Sequence, residues 1–304
     1  MAIKPPPPVT GDGILIPDFE LLDPNKKPRH RLVLAVDGRE KQGKTHFALT
    51  APGPIAYLDF DMGTEGVVEK FQAAGKVVIK SKPFNVRPPE LAGGAQQAMA
   101  IGEQEWKRFK SSYYRVLSEP IARWQGKAAM ARTLVVDTAT EMYSLLRLAE
   151  FGQLTQISQF KYREVNSIMS DIVREAQSRD VNVIFIHKMG DEWLEGKDGK
   201  RNKSGTNERD GWDDMAPKVQ ANVICYRAPL PESIPVNWKF RCGKGAPHTW
   251  TAEARAEDSL GFRLRVLDSR HNPTLDGMEL YDDQIDFALL ASMIVEGTTS
   301  EDWK

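Results

Sequence analysis

The chain has little cysteine and no long apolar run, and both absences narrow its class. Only two of its 304 residues are cysteines, Cys225 and Cys242, and they form no C-x-x-C pair, which argues against a disulfide framework. No stretch approaches the roughly 20 apolar residues of a membrane span, and the N-terminus lacks the charged-then-apolar pattern of a secretory signal. We therefore expect a cytoplasmic protein without a membrane partner.

An excess of charge of one sign is also missing. The 41 Lys and Arg residues against 42 Asp and Glu residues give a net charge of -1, so the chain as a whole does not attract nucleic acid. Any binding of nucleic acid must rest on local basic patches or on the assembly of many subunits. The 41% hydrophobic content is that of a globular protein with one large core or two modest ones.

The most specific feature that is present is the phosphate-loop pattern G-x-x-x-x-G-K-T at residues 38–45. The apolar run 32–36 predicts a strand that leads into the loop, and residues 46–49 open a helix whose N-terminal dipole favours phosphate. We expect Lys44 to reach the β- and γ-phosphates and Thr45 to ligate Mg²⁺. The predicted nucleotide contacts are Gly38, Arg39, Glu40, Lys41, Gln42, Gly43, Lys44, Thr45 and His46. The alternative is a glycine-bearing strand-to-helix turn with an incidental lysine.

The order of segments predicts an α/β fold. Residues 1–30 include Pro5–Pro8 and are interpreted as a Pro-rich arm. From residue 31 strands alternate with helices, which favours a mostly parallel sheet with helices on both faces; the strands are expected at 32–36, 55–60, 77–79, 134–137 and 181–186. After Tyr226 the segments 236–242, 249–254 and 262–267 predict a β-rich extension of the same sheet. The predicted domain spans 31–296, with the extension and a closing helix at 229–296 and a tail at 297–304.

Asp137 ends an apolar strand, where a carboxylate can hold the Mg²⁺ shell beside the phosphate loop. Its alternative role is to cap the helix that begins at Ala139. Because Thr138 follows it, the group that activates water must come from elsewhere. Asp61 is the first candidate, and Asp59 and Glu65 are alternatives; these acids would otherwise cap the next helix.

Three further groups are candidates for sensing or binding. His187 and Lys188 follow the strand 181–186, where a polar side chain either senses a γ-phosphate or is structural. The segment 189–214 is expected to be a mobile hairpin or loop whose basic residues and flanking tryptophans, Trp193 and Trp212, would bind single-stranded nucleic acid. The alternative is a solvated surface loop. A second basic and aromatic cluster at 106–115 has helical spacing and is expected to be mostly core.

These motifs resemble those of RecA-like ATPases. The phosphate loop, Leu-Asp-Phe-Asp at 58–61, Leu-Val-Val-Asp-Thr at 134–138 and Ile-Phe-Ile-His-Lys at 184–188 occur in that family's order and approximate spacing. The chain looks most like the phage-encoded single-strand annealing ATPases of the Sak type, over about residues 31–228. The resemblance implies an α/β RecA-like P-loop NTPase core that uses ATP and Mg²⁺ in an infected bacterial cytoplasm.

The resemblance also implies roles for individual residues. The catalytic residues would be Lys44, Asp61 and Asp137, with Arg270 reaching a neighbouring subunit's γ-phosphate; the metal ligands would be Thr45 and Asp137. Glu65 and His187, proposed above from their positions alone, complete the expected catalytic set. The DNA-binding set would be Lys161 in the first loop and Lys197, Lys200, Arg201 and Lys203 in the second. Lys188 stands where RecA has a sensing glutamine, and Asp268 where RecA has a lysine.

The function expected from this resemblance is ATP-dependent binding of single-stranded DNA that promotes annealing or strand pairing in recombination. The expected partners are single-stranded DNA, further copies of the chain in a head-to-tail filament or ring, and a single-strand binding protein. The alternatives are a nucleotide-switched protein without DNA activity and a helicase-type motor or loader.

Overall fold

The computed structural model describes residues 31–64, 66–124, 127–154, 160–195, 201–229, 233–255 and 261–304, and for residues 122–124 the backbone alone. The predicted Pro-rich arm, Glu65, Lys197 and Lys200 lie outside these residues. Among the described helices, none has the length and apolar content that crossing a membrane requires.

Strands and helices alternate through the first two thirds of the chain, as expected. The strands are β1 (Val33–Asp37), β2 (Ile55–Asp59), β3 (Val78–Lys80), β4 (Ala122–Trp124), β5 (Lys127–Ala129), β6 (Thr133–Asp137), β7 (Asn182–Ile186), β8 (Met189–Glu195), β9 (Arg201–Arg209), β10 (Ala221–Arg227), β11 (Val236–Arg241), β12 (His248–Ala252), β13 (Phe262–Ser269) and β14 (Glu279–Tyr281). The helices are α1 (Lys44–Thr50), α2 (Val67–Ala73), α3 (Pro89–Ala92), α4 (Ala95–Ser118), α5 (Ala139–Phe151), α6 (Tyr162–Ser178) and α7 (Phe287–Ile294).

The central sheet has eight strands in the order β14-β13-β10-β1-β7-β6-β2-β3. The six strands from β10 to β3 are parallel, and β13 and β14 add antiparallel strands at one edge. Strands β1, β2, β6 and β7 are buried along their whole length, which explains their continuous apolar sequence. The α/β fold with a mostly parallel sheet is confirmed.

Helices cover both faces of this sheet. On one face α4, α5 and α6 form a core with alternate residues of β1, β6 and β7, and on the other α1, α2 and α7 do so. Trp106, Phe109 and Tyr113 of the basic and aromatic cluster are buried in the first of these cores, which confirms the interpretation of that cluster. Because the six central strands are parallel, their carboxyl ends lie together at one end of the sheet, between the two helical layers. Polar residues at these strand ends can assemble into a site.

The β-rich C-terminal region divides between two sheets. Strands β13 and β14 extend the central sheet, but β11 and β12 join β8 and β9 in a separate four-stranded sheet of order β12-β11-β9-β8. The prediction that all these strands extend one sheet was therefore wrong. The small sheet has its own core, in which Trp238 and Trp250 stack at 5.7 Å between ring centroids and both contact Tyr226 of β10.

The last residues, predicted as a tail, are folded against the domain. Ser300–Trp303 form a 3-10 turn. Trp303 is buried against Phe287 of α7, with ring centroids 6.2 Å apart, and its indole Nε1 donates to Thr298 Oγ1 at 3.0 Å.

Candidate functional site

The loop between β1 and α1 has the backbone shape that its glycines predict. A Cβ atom on Gly38 would lie 2.5 Å from the Cys225 carbonyl oxygen, so only glycine fits beside β10 at this position. Gly43 has φ +88° and begins α1 as its N-cap. The loop thus passes directly into a helix N-terminus, the arrangement that binds phosphate.

Lys44 is folded back over the loop. Its ammonium donates to the carbonyl oxygens of Gly38 and Arg39, both at 2.7 Å. Burial lowers the pKa of Lys44, and the thiol of Cys225 and the carboxylates of Asp137 and Asp37 act in the opposite direction. A cation is therefore held at the phosphate loop by its own backbone, with acidic groups close by.

Asp137 and Thr45 meet as predicted for a metal site. The Thr45 hydroxyl donates to Asp137 Oδ2 at 2.8 Å, and the Tyr57 hydroxyl donates to the same oxygen. Burial raises the pKa of Asp137, which the bonds from Tyr57 and Thr45 oppose. The helix α5 is capped by Thr138, whose hydroxyl accepts from Glu141 N at 3.2 Å, so the capping alternative for Asp137 was wrong. A hydroxyl beside a carboxylate fits the oxygen ligands that Mg²⁺ prefers.

Two adjoining cavities extend from this point. The first, of about 380 Å³, is lined by the phosphate loop and by Asp61, Asp137, Thr138 and Lys188. The second, of about 410 Å³, shares Gln42, Gly43, His46 and Phe262 with the first and continues to Cys225, Arg263 and Ile285. The first lies at Thr45 and Asp137, the second extends away from them, and the Phe262 ring lines both. Together they have the two-ended shape that a nucleoside triphosphate requires.

The three acids considered for water activation have different positions. Asp61 lines the first cavity and pairs with Lys188 at 2.8 Å. Asp59 is fully buried; it accepts from the backbone N–H groups of Asp61 and Met62 at 3.1 and 2.9 Å and pairs with Lys80 at 3.0 Å. Asp59 therefore holds the turn after β2, and the alternative that made it the base was wrong. The third candidate, Glu65, is outside the described residues.

Neither Asp59 nor Asp61 caps helix α2, whose N-cap is Gly66. The backbone N–H of Gly66 donates to Glu69 Oε2 at 2.7 Å, and the cap is thus supplied from within the helix. Of the described candidates, Asp61 is the carboxylate that both faces the cavity and is free of a turn or cap role.

His187 and Lys188 separate into a buried and a cavity-facing residue. His187 is completely buried, and burial and the Arg209 guanidinium lower its pKa well below the ordinary value. It does not line the cavity, so the structure contradicts a direct catalytic or sensing contact by this imidazole. Lys188 does line the cavity and bridges Asp61 and Glu141, the latter at 2.9 Å; these hydrogen bonds raise its pKa despite burial.

The segment predicted as the second DNA loop is a β-hairpin, β8–β9, that contacts the phosphate loop. Arg39 donates to Asp191 of β8 at 3.2 Å and to Asn207 of β9 at 2.7 Å. Lys203 pairs with Asp191 at 2.6 Å and lies 5.5 Å from the centroid of the Trp193 ring, which is 49% exposed. A cation and an aromatic face are therefore presented together on the outside of the hairpin.

The remaining predicted DNA-binding and interface residues are on the surface. Arg201 and Lys161 are exposed, and Lys161 Nζ lies 5.9 Å from the Phe151 ring centroid. Trp212, expected as a stacking aromatic, is instead 2% exposed and part of the main core. Arg270 is exposed just beyond β13, whose Ser269 pairs with the first residue of β10. Arg270 therefore lies at the amino ends of the parallel strands, whereas its own phosphate loop lies at their carboxyl ends.

Sequence reasoning missed three residues that hold this site together. Tyr57 orients Asp137, and Arg209 makes a two-point ion pair with Asp37 at the end of β1, at 2.7 and 2.6 Å. Phe262 lies against the phosphate loop, 3.4 Å from the position of a Gly43 Cβ. All three come from segments that are separate from the phosphate loop in the sequence. Only Phe262, an aromatic residue at the start of a predicted strand, offered a signal in the sequence.

Comparison with known proteins gives one family match. The family model described as an AAA domain matches residues 30–223. No curated protein matches. The chain is similar in structure to a KaiC-like protein from the hyperthermophilic archaeon Pyrococcus horikoshii OT3, with a TM-score of 0.33 and 12% identity over 84% of this chain and 90% of that chain. The family model covers more than half of the chain, including the phosphate loop and the Thr45–Asp137 pair. The chain therefore belongs to the AAA domain family of P-loop ATPases.

Proposed function

We propose that this protein is a Mg²⁺-dependent ATPase that binds single-stranded DNA, assembles head to tail and promotes annealing or strand pairing in phage-type recombination. The observation that carries the proposal is the contact of Arg39, a phosphate-loop residue, with both strands of the β8–β9 hairpin. Through this contact, a change in the bound nucleotide alters the position of the hairpin surface that carries Trp193 and Lys203.

The nucleotide end has a role for each group. Lys44 and the α1 N-terminus neutralise the phosphates, and Thr45 and Asp137 would hold Mg²⁺, which polarises the γ-phosphate. Asp61 orients and deprotonates the attacking water. Its partner Lys188 also contacts Glu141 of α5, so it fixes the direction of the Asp61 carboxylate and places a second cation at the γ-phosphate end.

The DNA end rests on the hairpin. Bases stack on exposed aromatic rings and phosphates pair with Lys and Arg, and this combination tolerates any sequence. Trp193, Lys203 and Arg201 offer both kinds of group on one hairpin. Because the net charge is -1, strong binding requires many hairpins along one strand, which a head-to-tail assembly supplies.

Fluorescence anisotropy with labelled single-stranded DNA tests the proposal. With a non-hydrolysable ATP analogue, wild-type protein should show binding that weakens with salt. In the double variant Arg201→Ala/Lys203→Ala the slope of log affinity against log salt should fall by about 1.4, about 0.7 for each lost phosphate contact. The matched control is Arg174→Ala/Arg179→Ala. It removes two exposed arginines, one within α6 and one at its C-cap, and should keep the wild-type slope. If wild-type protein binds no DNA in a salt-sensitive manner, the nucleotide-switch alternative replaces this proposal.

Assembly is tested through Arg270. A cation donated across an interface acts only after subunits meet, so wild-type ATP turnover per subunit should rise with protein concentration. Arg270→Ala should bind ATP normally but lose that rise. Turnover that is independent of concentration in both proteins would remove the head-to-tail part of the proposal.

A further inference from the structure

Three side chains of metal-binding type converge where the small sheet meets the central sheet. Cys242 follows β11, His248 is the first residue of β12, and Asp268 lies near the end of β13. Cys242 Sγ is 3.5 Å from His248 Nε2 and 3.8 Å from Asp268 Oδ2, and the three ligand atoms all lie within 4.8 Å of one another. None of these residues belongs to the nucleotide site.

The spacing fits one cation. A tetrahedral zinc with Zn–S of about 2.3 Å and Zn–N of about 2.0–2.1 Å places the sulfur and nitrogen about 3.5 Å apart, which is the separation found here between Cys242 and His248. Thiolate, imidazole and carboxylate together are a zinc donor set, whereas Mg²⁺ and Ca²⁺ take oxygen ligands. Three protein ligands leave a fourth position for water.

The carboxylate is already oriented for this role. Asn222 Nδ2 donates to Asp268 Oδ1 at 2.9 Å and to the Ala216 carbonyl at 3.0 Å, and Asn222 Oδ1 accepts from Arg209 at 2.7 Å. One oxygen of Asp268 is thereby engaged by Asn222 while the other is directed to the sulfur. Outer hydrogen bonds of this kind commonly hold metal ligands in place.

We propose that Cys242, His248 and Asp268 form a zinc site separate from the ATPase centre. Two ligands flank the turn between β11 and β12, and the third comes from β13. A bound zinc would therefore join the four-stranded sheet, which carries the β8–β9 hairpin, to the edge of the central sheet. Zinc bound here would tie together two sheets that otherwise meet through a small apolar core and the Arg209–Asp37 ion pair, and this tie is the structural role that we assign to it.

The full-length protein, freed of metal with a chelator, is titrated with Co²⁺ to test the site. Thiolate coordination should give a charge-transfer absorption in the near ultraviolet that saturates at one Co²⁺ per chain and is displaced by Zn²⁺. Cys242→Ser should abolish the band. The control Cys225→Ser alters the other buried cysteine and should retain it. A wild-type protein without the band, or a Cys242→Ser variant that keeps it, overturns the proposal and leaves a hydrogen-bonded thiol.

A second measurement keeps the test sharp if Cys242→Ser folds poorly. Asp268→Asn preserves the shape of the side chain and removes its charge. We expect its Zn²⁺ dissociation constant, measured by competition with a chromogenic chelator, to rise about tenfold or more. Zn²⁺ should also raise the thermal midpoint of the stripped wild-type protein without nucleotide. Equal Zn²⁺ affinity in Asp268→Asn and wild type would exclude the carboxylate, and an unchanged midpoint would exclude the structural role. Because these readouts need neither ATP nor DNA, their failure is distinct from failure of the proposed function.

Discussion

Replacing Arg209 with methionine tests whether an ion pair attaches the end of β9 to β1, the strand that leads into the phosphate loop. We call this end of the β8–β9 hairpin its foot. The side chains of Arg209 and Asp37 are 1% and 0% exposed, and two short hydrogen bonds join them. Removing one partner of such a pair leaves a buried charge without compensation, which costs about 3–5 kcal/mol. We expect Arg209→Met to lose that much free energy of unfolding at pH 7.

The loss should depend on pH in a definite direction. Burial raises the pKa of Asp37, and Arg209 is the main opposing influence, so in Arg209→Met the folded-state pKa rises further above the unfolded value. Above the unfolded pKa, near 4, the folded variant keeps a proton that the unfolded chain releases. Its stability then falls by about 1.4 kcal/mol per pH unit, or about 2–3 kcal/mol between pH 5 and pH 7.

Urea denaturation at pH 5 and pH 7 measures both effects. The double variant Asp37→Asn/Arg209→Met removes the charge as well and should recover most of the loss at pH 7. As a control, Arg174→Met breaks an exposed helix pair with Asp171 and should cost about 0.5 kcal/mol or less. A loss below about 1 kcal/mol in Arg209→Met, or one of equal size at both pH values, would refute the reasoning.

Four further variants probe the site and its surroundings. Lys44→Ala should lower ATP turnover at least about 100-fold with an unchanged fold, because the cation facing the phosphates is lost; calorimetry and turnover assays check this. Asp61→Asn should bind ATP yet hydrolyse it about 10²–10⁴-fold more slowly in single-turnover assays. Tyr57→Phe removes a bond that lowers the pKa of Asp137, so the acid limb of the pH–rate profile should move to higher pH. His187→Asn should abolish a stability loss of about 1.4 kcal/mol per pH unit that wild type suffers below pH 6.5, since the buried imidazole stays neutral while the unfolded one takes up a proton. Wild-type behaviour in any of these assays would remove the corresponding role.

The nucleotide site could be predicted largely from the sequence because its parts are local. A phosphate loop needs glycine at two fixed positions and a lysine between a strand and a helix, and all of this lies within residues 33–50. The pairing of Thr45 with Asp137 followed from a general rule, that carboxyl ends of parallel strands meet at one edge. The prediction needed only the assignment of two buried strands.

The choice among the acids could not be made in this way. Asp59 and Asp61 are two residues apart at the end of the same strand, and the sequence treats them alike. Asp59 is the last residue of β2, and its carboxylate accepts two backbone N–H groups of the following turn. Asp61 contributes only its backbone N–H to that turn, and its side chain lines the cavity. The hydrogen bonds of a turn decide this, and they depend on a backbone path that apolar periodicity does not encode.

The assignment of strands to sheets was beyond the sequence for a similar reason. The patterns at 236–242 and 249–254 predict strands, but backbone hydrogen bonds are the same whichever sheet receives them. The aromatic contacts of Trp238 and Trp250 with Tyr226 join the small sheet to β10. These contacts lie between segments that are distant along the chain, and a single sequence carries no record of the pairing.

The basic residues of the hairpin divide by position into two physical classes, which composition alone cannot separate. Arg209, at the foot, is buried against Asp37, whereas Arg201 and Lys203, toward the tip, are exposed. A charge in water is removed at little cost to folding, and a buried paired charge is not. It follows that the exposed residues toward the tip can be substituted at little cost to stability, while the foot is constrained by the phosphate loop. Under the proposed function, variants toward the tip should therefore change DNA affinity without changing stability, and variants at the foot should change both.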